Sequence, residues 1–133
     1  MNIEITLGEG KVVNAKYKGQ IIKTDQSIKN GGQESAPEPF SLFLASIGTC
    51  SGIYVKTFCD QRNIPTENIR LTQNMSYNLI KRLIDKIDIE IHLPADFPEK
   101  YIKTVKRAVD QCSVKKHLLD SPEITVSAKI SDS

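Results

Sequence analysis

The sequence predicts an α+β protein in the order βββ-α-ββ-αα-β, an antiparallel-rich sheet around one long central helix. Three observations carry this. Apolar residues alternate with a period of two in the first 25 positions and again between positions 69 and 93. The period changes to that of a helix between Pro39 and Asn63. A capped second helix then precedes one more alternating segment. With 133 residues, the chain is read as one domain over 1–133, able to hide roughly two-thirds of its unfolded surface in a single core.

At the start, Ile3, Ile5 and Leu7 share one face of an extended chain, and Val13, Ala15 and Tyr17 repeat the period. Gly8-Glu9-Gly10 and Lys18-Gly19 supply turn chemistry, so a three-stranded meander ending near Asp25 is expected. From Gln26 to Pro39 glycine, asparagine and proline disfavour pairing, which makes a loop.

Phe40, Phe43, Ile47, Cys50, Tyr54 and Phe58 fall on one helical stripe, with Pro39 in the first turn and Asn63 and Pro65 closing it. A second stripe of Ser41, Ala45, Gly48 and Gly52 points to close packing of another helix. Two long strands follow, carried by Ile69, Leu71, Met75, Tyr77 and Leu79, then by Ile87, Ile89, Ile91 and Leu93. Asp96 and Glu99 form a capping-box pair with Pro98 in the first turn of the second helix. Ser113 caps a short helix through Leu119, and Ile124, Val126, Ala128 and Ile130 are expected to form a last strand.

Composition excludes several classes. Charged residues make up 26% and hydrophobic ones 39%, the soluble globular range. No stretch is read as the roughly 20 apolar residues that span a bilayer, so no membrane partner is expected. The first residues, Met-Asn-Ile-Glu-Ile-Thr-Leu, lack the basic start and apolar run of a secretory signal, so a cytoplasmic location is expected. A net charge of +2 spread along the chain leaves no nucleic-acid footprint.

Three cysteines in a reducing compartment argue against a disulfide framework. Without Cys-x-x-Cys, and with His92 and His117 in unrelated segments, no metal is expected, and thiol chemistry would need no other cofactor. Cys59 lies nine residues after Cys50, about 13 Å along a helix and half a turn round. A disulfide needs Cα atoms within about 7 Å, so these two do not pair. Cys50 and Cys112 sit on the apolar stripes of two helices. Either they are small core residues, or they are a reactive pair favoured by the helix start at Ser113 and by Lys115, Lys116 and His117.

The block Pro39-Phe40-Ser41-Leu42-Phe43-Leu44-Ala45-Ser46-Ile47-Gly48-Thr49-Cys50 resembles the central helix of the OsmC/Ohr family of osmotically inducible and organic-hydroperoxide-resistance proteins, patterned Pro-x-x-Leu-x-x-Ala-x-x-x-Cys. Gly31-Gly32 fits as well. Cys112-Ser113-Val114-Lys115-Lys116-His117-Leu118 is similar to the family's Cys-Pro-Val-x-x-x-Leu. The resemblance implies an intertwined homodimer that reduces small-molecule peroxides, Cys50 attacking the peroxide and Cys112 resolving the product, with an external thiol or dithiol as reductant. A second function is a non-enzymatic redox sensor or a binder of small apolar molecules. The motif departs from the peroxidase branches in two places. Phe40 stands where a glutamate is common, and the first arginine is Arg62, so the usual thiolate-stabilising arginine is absent. Lys11, Lys16, Lys18 or Lys23 would have to supply the cation, and Glu38 the acid.

Overall fold

The computed structural model describes residues 1–131 and divides into two compact units, Met1–Ser46 and Ile47–Ser133. The first holds an antiparallel meander of β1 (Glu4–Leu7), β2 (Val13–Tyr17) and β3 (Gln20–Thr24). Its register sets Ile5 opposite Ala15 and Ala15 opposite Ile22. Lys18 and Gly19 have φ of 50° and 76°, the two left-handed residues of the hairpin turn whose twist matches that of its strands.

The loop after β3 is organised by one carboxylate. Asp25 is buried; its Oδ1 accepts from Gln26 N at 2.7 Å, and its Oδ2 from Gln33 N at 3.3 Å, Ser35 N at 3.1 Å and Ser35 Oγ at 2.6 Å. The Ser35 hydroxyl, followed by the Gln26 amide, outweighs burial and holds the carboxyl at about 2. A carboxyl depressed on folding contributes stability that is complete above its unfolded value of about 4 and is lost as pH falls toward 2. The urea midpoint is therefore expected to drop between pH 5 and pH 2.5, and Asp25→Asn to flatten that part of the curve, as read by circular dichroism.

Helix α1 (Pro39–Asp60) is continuous over 22 residues. By length and composition it is apolar enough to cross a membrane, which corrects the expectation that no stretch is. Its second half nevertheless works as a core helix. The buried seam is Ile47, Ser51, Val55, Phe58 and Cys59, rotated from the predicted stripe, while Phe40 and Phe43 stack on one another at 5.6 Å and stay exposed.

In the second unit β4 (Arg70–Asn78) pairs with β5 (Leu83–His92) as a two-stranded hairpin, Arg70 opposite His92 and Asn78 opposite Leu83. After Phe97, Pro98 leads into one turn of 3-10 helix at Glu99–Tyr101, then α2 (Ile102–Val109) and α3 (Ser113–Leu119). Pro98, rather than Asp96, occupies the cap, and it makes no side-chain capping bond. The core gathers Val55, Phe58, Cys59, Phe97 and Val105, with Leu71, Ile91 and Tyr101 against it. Phe58 meets the Tyr101 ring edge-on at 5.7 Å.

Within the chain the small-residue stripe meets a strand at Gly48, where a Cβ would lie 2.6 Å from Gln73 Oε1 of β4, while one on Gly52 would meet open space. One further expectation is corrected: no strand forms over 124–130. Alternation makes a strand only where an edge accepts the backbone. Among the described residues none hydrogen-bonds this segment, and Ile124, Val126 and Ile130 are exposed.

Candidate thiol site

The sequence-predicted pair comes together. Cys50 lies in the middle of α1, half-buried, and Cys112 is buried at the joint between α2 and α3. That joint follows from the way α2 stops. Asp110, Gln111 and Cys112 each donate N–H three residues back, at 3.2, 3.1 and 3.1 Å, which tightens the last turn. Cys112 then turns extended, at φ −54° and ψ 124°, and its carbonyl accepts the first bond of α3 from Lys116 N at 3.1 Å. The N–H groups of Ser113, Val114 and Lys115 are left without a partner inside the helix.

These amides face the sulfurs. Burial by itself would push the Cys50 thiol up. The Cys112 thiol, which donates to it, and the N–H groups of Val114 and Ser113 together outweigh that and hold Cys50 below its ordinary value. Cys112 moves the other way: burial, then its donated hydrogen bond to Cys50, raise it, and the nearby Lys115 and Val114 amides only partly offset this. All three cysteines are free thiols. Cys59 is fully buried in the core, and burial followed by the Asp60 charge raises it.

The groups that set the acidity of Cys50 include no cation. Lys115 pairs its ammonium with Asp110 at 2.9 Å. His117 Nδ1 lies 2.6 Å from the Ser113 carbonyl of its own helix, and His92 bonds to Thr72 at 2.9 Å. Lys11, Lys16, Lys18, Lys23 and Glu38 all belong to the first unit. Among the described residues no group of histidine, cysteine and carboxylate side chains is arranged to hold a metal. A cleft of about 520 Å³ in the second unit runs beside the pair: Ile47 and Ser51 of α1, Ile87 and Ile89 of β5, and Val109 and Leu118 line it, while neither sulfur does.

With one thiol acidified and its neighbour kept protonated, alkylation by iodoacetamide at pH 7 is expected to reach Cys50 well before Cys112 or Cys59. Cys112→Ala deletes one donor and should move the Cys50 titration to higher pH. Peptide mapping across a pH series reads both outcomes.

An α+β chain with two opposed thiols at a helix joint belongs to a recognisable class. The OsmC-like protein family model matches residues 31–127, and the chain belongs to that family. Solved structures share the fold. An OsmC-like protein from Mycoplasma pneumoniae is 14% identical, covering 90% of this chain and 87% of that one, with a TM-score of 0.68. The organic hydroperoxide resistance protein OhrB of Bacillus subtilis is 17% identical over 88% and 90%, TM-score 0.51. The organic hydroperoxide resistance protein of Elizabethkingia anophelis is 17% identical over 88% of both chains, TM-score 0.54. No curated protein matches by sequence.

Proposed function

We propose that this chain is a thiol-dependent reductase of organic hydroperoxides, with Cys50 the attacking and Cys112 the resolving cysteine. The observation that carries the reading is the facing pair of thiols with acidities driven in opposite directions. The names of the Bacillus and Elizabethkingia structures are consistent with it.

In the first step the Cys50 thiolate attacks the terminal peroxide oxygen, the O–O bond breaks, and the departing alkoxide takes a proton and leaves as an alcohol. Cys50 is then a sulfenic acid. The Cys112 sulfur attacks it, an S–S bond forms, and hydroxide takes up the thiol proton and leaves as water. An external dithiol restores the pair by exchange. This cycle suits a reducing, cytoplasmic setting and a homodimer, which the exposed apolar residues of the strands, Ile5, Leu7, Ile21 and Met75, favour.

One equivalent of cumene hydroperoxide should consume two thiols per chain and leave a Cys50–Cys112 disulfide by mass spectrometry. Unchanged thiol content overturns the reading. The cleft lined by Ile47, Ile87, Ile89 and Leu118 favours a second reading, a binder of small apolar molecules. Displacement of an apolar fluorophore with no thiol loss would select it.

A further inference from the structure

We propose that the tip of the β4–β5 hairpin docks on an anionic lipid surface. The tip is built by one residue at its base. Asn78 Oδ1 accepts from Ile80 N at 3.0 Å and Lys81 N at 2.9 Å, while Asn78 Nδ2 donates to Asp85 Oδ2 at 2.8 Å. Arg82 N closes the turn on the Asn78 carbonyl at 2.8 Å. Asp85 is the extra residue where the register slips beside Ser76 and Tyr77.

With its turn chemistry supplied by Asn78, the tip is free of glycine and carries Leu79-Ile80-Lys81-Arg82. Leu79 is 82% and Ile80 95% exposed, on a backbone held by those bonds. Arg82 sits at φ 56°, where glycine or asparagine strains less, so the position bears a cation against its backbone preference. Among the described residues neither Lys81 nor Arg82 forms an ion pair.

Two rigidly presented aliphatic side chains beside two uncompensated cations fit a surface that is apolar below and negative above. The aliphatics enter the acyl boundary and the cations stay among the phosphates. A spanning helix needs about 20 apolar residues; a surface contact needs only such a tip. The proposal is independent of the thiol reading, since it is read by partition and not by turnover.

The test is co-sedimentation of the full chain with vesicles of phosphatidylcholine containing one-third phosphatidylglycerol. Binding is expected there, with little to phosphatidylcholine alone and a loss in 0.5 M NaCl. Lys81→Gln with Arg82→Gln should lower the partition coefficient roughly tenfold or more, and Leu79→Ser with Ile80→Ser should do likewise. Circular dichroism reports that the variants are folded. Absence of binding to anionic vesicles, or equal binding by folded variants, overturns the proposal. So does a fall in molar mass by light scattering in the Leu79→Ser, Ile80→Ser variant without vesicle binding by the wild type, which makes the tip a contact between copies.

Discussion

Cys50→Ser is expected to abolish hydroperoxide-dependent oxidation of a dithiol, a fall of roughly a thousandfold or more in kcat/KM. A serine hydroxyl in that place receives the same amides but supplies no thiolate, so the electron pair that breaks the O–O bond is gone. Cys112→Ser is expected to behave differently. It keeps the first step, consumes one equivalent of hydroperoxide, and then stops with one oxygen atom added at Cys50, because no second thiol intercepts the sulfenic acid; a second oxygen is added only at the expense of a second equivalent. Stopped-flow consumption of cumene hydroperoxide, followed by intact mass, separates the two. A Cys50→Ser chain that still turns over removes Cys50 from the reaction; a Cys112→Ser chain that cycles normally removes the resolving role.

Gly32→Ala should be the most damaging single methyl in the first unit. A Cβ built there would lie 2.1 Å from the Gln26 carbonyl oxygen, 2.5 Å from its carbon and 2.7 Å from Asp25 Oδ1. Two of these are backbone atoms, and the third belongs to the carboxylate that gathers the loop, so none yields as the end of a flexible side chain would. Gly32 N also donates to the Ser27 carbonyl at 2.9 Å, fixing the glycine against that wall. The expected cost is about 3 kcal/mol, seen as a loss of roughly 10 °C in Tm by calorimetry. Gly10→Ala is the useful comparison: nothing lies within 4 Å of its Cβ, and only its φ of 60° opposes the change. A cost of about 1 kcal/mol is expected there.

The meander was legible because its turns are local chemistry: Lys18-Gly19 specifies a hairpin whatever surrounds it. The seam of α1 was legible only to within about one residue. Counting apolar side chains favoured Phe40 and Tyr54, whereas burial depends on what lies opposite. Ser51 goes inside because its hydroxyl donates to the Ile47 carbonyl at 3.0 Å, a bond that composition does not reveal. The last strand was misread for a related reason, since alternation states a capacity for pairing and says nothing of a partner. At the site, two cysteines 62 positions apart were found through the family resemblance and the two helical stripes. The donors beside Cys50 were not, because every residue but proline carries an N–H; the predicted start of a helix at Ser113 was the available clue. Asp25 announced itself only as an acid at the edge of a loop rich in glycine and serine.

Position 113 acquires a new meaning from the geometry of that joint. The family pattern has proline after its second cysteine, and proline has no N–H to give; serine here adds a donor aimed at Cys50. No arginine is among the groups that set the acidity of Cys50, and the Ser113 peptide hydrogen is. An amide does not titrate, is not withdrawn by salt as a surface ion pair is, and cannot swing away on a long stem. The acidity of this thiol therefore rests on the Cys112 side chain and on the backbone path together, and the second of these is set by where α3 begins.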